Sequence, residues 1–168
     1  IGCYSAGGSS AYGTQISGAA STNNSIIFST MAGSGGGLLI DGAFTTSVRD
    51  RIQARLNEPG LMIENAAARN TVARSTITAS SAGQWALHFS RASTNTVSDC
   101  YISGSTAAMV TGSTGTTIMT SALSSAWPGG VGLQMRGASR NLYLSSSTLG
   151  GGAAGEAVFL DAGNTGEL

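Results

Sequence analysis

Asp41 and Glu64 stand in matching surroundings, the first ending the run GLLID and the second ending GLMIE, 23 residues further on. Two carboxyl groups held close together are the working parts of glycoside hydrolysis: about 5–5.5 Å apart in retaining enzymes and about 6.5–9.5 Å apart in inverting ones. Like charges so placed also push one pKa upward, as a general acid requires. The competing reading is a surface ion-pair network in which Arg69 neutralises either acid, since such networks imitate active sites. Asp99 and Asp161 are weaker acid candidates. Sugar recognition calls for aromatic platforms beside polar groups, and Trp85 in SSAGQWAL and Trp127 in SSAWPGG each precede an apolar run. A bulky aromatic also serves to plug a corner or an interface. His88 is the single histidine and lies within the apolar run ALHFS. No Ser-His-Asp arrangement and no metal-ligand spacing is visible, and the Gly-rich GSGGGLL from Gly33 lacks the Lys of a phosphate loop. The sequence therefore predicts neither metal nor cofactor.

A repeat is what would bring such residues together. ARNTVARSTI, from Ala68, is answered by STNTVSDCYI, from Ser93. Leu38, Leu61, Leu87, Met109, Leu133 and Val158 each open a short apolar run, with steps of 23, 26, 22, 24 and 25 residues, and Ile16 fits one step earlier. Roughly ten residues after each opener comes a second marker: Ile26, Val48, Val72, Val97, Ile118 and Leu144. A third follows at Met31, Ile77, Ile102, Leu123 and Leu149, with shorter spacing to Ile52. Units of this size cannot bury their own apolar side and must stack. A hexapeptide helix would repeat near ~18 residues, and a leucine-rich repeat needs a Leu-Asn framework missing here. The pattern predicts an all-β, right-handed, single-stranded parallel β-helix of about seven coils over 16–168, with 1–15 a lead-in segment or partial coil. VRDRIQARLNEPG, with Ile52 and Leu56 four apart, predicts a turn or two of helix in one corner.

Alternation along each strand assigns Leu38/Ile40, Leu61/Ile63, Leu87/Phe89, Met109/Thr111, Leu133/Met135 and Val158/Leu160 to the core. Outward columns then read Leu39, Met62, His88, Val110, Gln134, Phe159 and Asp41, Glu64, Ser90, Gly112, Arg136, Asp161. So much aligned apolar surface marks an interface, and Leu39, Met62, His88, Val110 and Phe159 are the expected contact, with a neighbouring copy in a side-by-side trimer or with a flanking segment of the same chain. Asn24, Thr46, Asn70, Asn95 and Thr116 precede the second markers by two places, with Asn141 one place early, and predict a structural corner ladder. Arg74 is expected between Asp50 and Asp99 on neighbouring coils.

Composition excludes several classes. Eight basic and eight acidic residues cancel, charged residues are 10% against roughly a quarter in ordinary domains, and nothing forms a nucleic-acid footprint. No apolar run approaches the ~20 residues that span a bilayer, so no membrane insertion is expected. Cys3 and Cys100 match no metal spacing and read as free thiols, Cys100 buried or at a turn.

The coil of about 24 residues, the L-x-I openers, the Asn corners and the Ser/Thr/Gly-rich loops resemble the right-handed β-helix of pectin-lyase-like proteins, most of all the β-helical domains of bacteriophage tailspikes and tail fibres. The resemblance spans almost the whole chain from Ile16. It implies a virion-borne, extracellular homotrimer that attaches to host cell-surface polysaccharide, with depolymerase activity left open. The Trp-Ile-Asp-His and Arg-x-Pro elements of pectate lyases are absent and tailspikes share no catalytic motif, so no active residue carries over. Two other readings stay open: a secreted pectinase-like polysaccharide lyase or hydrolase, and a purely structural β-helical shaft or adhesin domain. AVFLDAGNTGEL, from Ala157, reads as a coil begun and not closed, as in a fragment of a longer chain.

Overall fold

A computed structural model describes residues 3–54 and 58–167. The described chain is a parallel β-solenoid with no helix among those residues. One sheet has seven strands, one per turn: Tyr12–Ser17, Gly36–Asp41, Leu61–Glu64, Trp85–Ser90, Thr106–Thr111, Val131–Arg136 and Val158–Leu160, all parallel. The other, twelve-stranded sheet wraps the remaining sides. Its early turns run as long strands, Ser25–Gly33 and Ser47–Ala54, whereas later turns break into pairs such as Thr71–Ala73 with Thr76–Ala79 and Thr96–Ser98 with Tyr101–Gly104. Tyr4–Gly7 adds to the same sheet by pairing with Thr30–Gly33.

Corners explain how so short a repeat closes. At one, Gly42, Asn65, Arg91, Gly112 and Gly137 all adopt positive φ. At the next, Asn23, Thr45, Arg69, Thr94, Gly115 and Asn141 do the same, and at a third Arg74, Asp99, Thr120 and Ser146. One left-handed residue turns the strand direction sharply, and outside glycine that conformation is costly enough to need support from neighbouring turns. Here the backbone supplies it: Asn65 N–H donates to Ser90 O, Arg91 N–H to Thr111 O and Gly112 N–H to Arg136 O.

The core is built of straight columns. Val48, Val72, Val97, Ile118 and Leu144 stack in register, as do Ile52, Ile77, Ile102 and Leu123, and all are buried. One turn departs from the expected register. Leu87 pairs with Ala108 and Phe89 with Val110, so Ala108 and Val110 face the core while Met109 and Thr111 take the outward positions beside His88 and Ser90. Val110 is therefore a core residue, 1% exposed, and not part of an outward contact face. The run AAMV is apolar on both parities, so alternation alone could not set its phase.

The expected helix is absent from the described part of VRDRIQARLNEPG. Ser47–Ala54 is a strand whose buried residues, Val48, Asp50, Ile52 and Ala54, alternate with more exposed ones. Val48 and Ile52 sit four apart because this turn lacks the left-handed corner residue, so the strand runs straight through. Pairing on both sides, with Ser25–Gly33 and with Thr71–Ala73 and Thr76–Ala79, overrides any local helical preference. Leu56 lies outside the described residues. Asp50 is consequently in register with Ser75, not with Arg74, and does not form the expected stack of alternating charge.

Two polar ladders run inside the corners. Asn70 Oδ1 accepts from Thr46 N–H at 2.8 Å, and Asn95 Oδ1 accepts from Asn70 N–H and Nδ2–H, both at 3.0 Å. The amides also donate to Ala43 O and Ala67 O on the preceding turns. Asn141 joins the positive-φ corner, leaving Leu142 in the ladder slot beside Thr116. The second ladder is Asp50, Ser75, Cys100, Ser121 and Ser147. Ser75 Oγ accepts from Asp50 N–H, Ser121 Oγ from Cys100 N–H and Ser147 Oγ from Ser121 N–H, at 2.9, 3.1 and 3.2 Å. Cys100 is thus a structural thiol, donating to Ser98 O and pushed up to about 11, chiefly by burial. Alkylation of the native protein is expected to label exposed Cys3 and spare Cys100. Cys100→Ser, which puts the ladder's usual hydroxyl there, should change unfolding free energy by less than about 1 kcal/mol. Mass spectrometry of the labelled protein and a denaturation curve check both.

Candidate functional site on the seven-stranded face

Asp41 and Glu64 are paired residues of adjacent strands, followed in the same outward column by Ser90, Thr111 and Arg136. Their backbones are one strand spacing apart, ~4.8 Å. Their environments differ. Asp41 Oδ1 accepts a hydrogen bond from Asn65 Nδ2 at 2.8 Å, and Asn65 Oδ1 in turn accepts from Arg91 Nη2 at 2.9 Å. The Glu64 carboxyl is held above the ordinary glutamate range by partial burial, then by the Asp41 charge and Glu58, with Arg91 acting the other way. The cation beside this pair is therefore Arg91, whereas Arg69 occupies a different corner.

Asn65, Arg91 and Tyr12 escaped the sequence reading. Asn65 and Arg91 stand where the same corner in other turns carries Gly42, Gly112 and Gly137. A non-glycine in a glycine slot was the available signal. Tyr12, at the start of the first strand of this sheet, lies against Gly36, where a Cβ would come within 2.3 Å of its ring. Its hydroxyl reaches Met62 Sδ at 3.4 Å. Burial, with Glu58 and Glu64 behind it, raises the phenol far above its usual range.

The apolar column is Leu39, Met62, His88, Met109, Gln134 and Phe159. Leu39, His88, Met109 and Gln134 are each 8% exposed or less in the single chain. For these four residues the chain supplies the cover itself. Trp85 packs on His88 with ring centroids 4.5 Å apart, and the Arg136 guanidinium sits 5.7 Å over the Phe159 ring. His88 Nε2 meets Thr111 Oγ1 at 3.3 Å while Nδ1 is buried without a partner. Desolvation lowers its pKa to about 4, so the imidazole is neutral at ordinary pH.

Trp85 and Trp127 share a corner but not a level. Trp85 is in register with Thr106 and Val131, whereas Trp127 lies four residues ahead of Val131, in a turn closed by Gly130 N–H to Trp127 O. Gly152 packs against that turn, and a Cβ there would strike the Trp127 carbonyl. The structure thus gathers Asp41, Glu64, Met62, His88 and Trp85 onto one face together with Tyr12, Asn65 and Arg91, and leaves Trp127 on a separate turn. A hollow lined by Asn141, Tyr143 and Glu167 lies on the other sheet, away from this face. No group of three or more metal-ligating side chains occurs among the described residues.

The class that the fold defines is the parallel β-solenoid. Comparison with protein-family models, curated proteins and solved structures finds no match to this chain.

Proposed function

We propose that this solenoid is a cell-surface-polysaccharide-recognising β-helix of the bacteriophage tailspike kind, right-handed and homotrimeric, and that its seven-stranded face binds and hydrolyses glycan. The observation that supports this reading is the in-register pair of Asp41 and Glu64, one carboxylate fixed by an amide and the other pushed toward its protonated form. Glu64 then serves as the acid that protonates the glycosidic oxygen, and Asp41 attacks the anomeric carbon. Water admitted by Glu64 acting as base releases the sugar from Asp41 in the second step. Backbones only ~4.8 Å apart make the shorter, retaining separation of carboxyl groups, about 5–5.5 Å, the expected one. Tyr12, whose phenol feels the Glu64 charge, and Trp85, packed on His88 further along the same face, are both partly exposed and supply aromatic surface for a sugar ring.

The test is a panel of capsular and O-antigen polysaccharides incubated with the protein, with product length read by size-exclusion chromatography and light scattering giving the mass of the assembly. Shortened chains that retain anomeric configuration at the new reducing end are expected, from a trimer. If no polysaccharide is bound, glycan recognition is lost, and a monomer at micromolar concentration removes the trimer.

A further inference from the structure

Asp50 occupies a hydroxyl position. In the column that runs Asp50, Ser75, Cys100, Ser121, Ser147, each later side chain donates its proton to a backbone carbonyl two residues back: Ala73, Ser98, Met119 and Ser145. Ser75, Ser121 and Ser147 also accept an N–H from the preceding turn. Asp50 performs the accepting half, taking Ser29 N–H on Oδ1 at 2.5 Å. The donating half is beyond a carboxylate, and Oδ2 is buried with no partner in a residue only 6% exposed. A buried carboxylate oxygen without a donor is costly, whereas a protonated oxygen can do what the serine hydroxyls do.

We propose that the folded solenoid carries Asp50 as the neutral acid, its proton on Oδ2, and that loss of this proton loosens the joint between the strands Ser25–Gly33 and Ser47–Ala54. The joint is built for such a change. The pairing of these strands slips between Ile27 and Thr30, and Phe28, a residue 68% exposed, is held there at φ 54 with its ring beneath the Arg49 guanidinium. A bulky side chain in the left-handed region is a strained arrangement. Charged groups around Asp50 are few: Arg49 and Arg51 flank it on its own strand, Arg74 lies at the corner of the next turn beside Ser75, and Ser25–Gly33 has no ionisable side chain. Burial raises the carboxyl pKa and outweighs the N–H groups of Ser29 and Arg49, which lower it.

Carbon-13 NMR of the aspartate carboxyls, assigned by comparison with Asp50→Asn, reads the proton directly. Amide exchange at Ser29 followed over the same pH range reads the joint. The expected result is an Asp50 midpoint above the ordinary aspartate value, with protection of Ser29 falling as pH rises through it. Asp50→Asn and Asp50→Ser, which keep an accepting oxygen and supply a proton that does not ionise, should lose this pH dependence. An Asp50 that titrates at or below the ordinary value, or a fall in Ser29 protection that persists in both variants, overturns the proposal.

Discussion

Glu64→Gln is expected to reduce polysaccharide hydrolysis by about 10²–10⁴-fold, the usual contribution of a positioned general acid. Gln keeps the shape of the side chain and its place beside Asp41 but cannot deliver a proton. It also removes a charge that the fold holds in an unfavourable place, since burial and Asp41 both oppose ionisation of Glu64. The variant should therefore fold as well as the parent and still bind glycan, so the loss appears in kcat and not in KM. Asp41→Asn should be at least as damaging, because the attacking oxygen itself is lost. In the parent protein any such hydrolysis should slow as pH rises through the Glu64 midpoint, which lies above the ordinary glutamate value. Normal cleavage by either variant would take the acid pair out of the mechanism.

Acid should destabilise the protein through His88. The folded imidazole titrates at about 4 and the unfolded one at 6.5. The native state thus binds fewer protons than the unfolded chain between these values. The stabilisation is present in full above pH 6.5 and is lost progressively as pH falls to about 4. A difference of this size corresponds to about 3 kcal/mol. Glu64 and Asp50 act with the opposite sign, because carboxyl groups whose folded pKa is raised give stability that is present at low pH and lost as pH rises through their folded midpoints. The clean comparison is therefore with His88→Met, which extends the thioethers of Met62 and Met109 across the same column. Denaturant midpoints measured at pH 7 and pH 4 should show the parent losing about 3 kcal/mol more than the variant. Equal losses in both would mean that His88 is already open to water.

Much of this architecture could be read from the chain because stacking copies a side chain's environment from turn to turn. Leu38, Leu61, Leu87 and Leu133 meet nearly the same neighbours, and so do Asn70 and Asn95, which makes both columns visible as a period. Reading fails where the copy is imperfect. AAMV offers two registers of equal hydrophobicity, and only pairing with Leu87 and Leu133 places Ala108 inward. Ile52, one member of the four-apart pair with Leu56 that suggested a helix, belongs instead to the straight strand Ser47–Ala54, held by pairing on both sides. The acid pair was legible because both members end similar runs. Its companions were not, since Asn65 and Arg91 matter through a backbone conformation that no hydrophobic pattern records, and Tyr12 reaches Met62 from across 50 positions of sequence.

The three left-handed corners have a consequence for how such a molecule can change. From Leu61–Glu64 to Leu142–Ser145 successive turns meet through the same hydrogen-bonded seams, so a turn there is close to an interchangeable cassette. The acids, His88 and their supports are confined to the successive strands Gly36–Asp41, Leu61–Glu64 and Trp85–Ser90 and the corners that follow them, apart from Tyr12 and Thr111. Turns beyond Thr106–Thr111 could be gained or lost in whole units, altering the length of the solenoid while Asp41 and Glu64 keep their spacing.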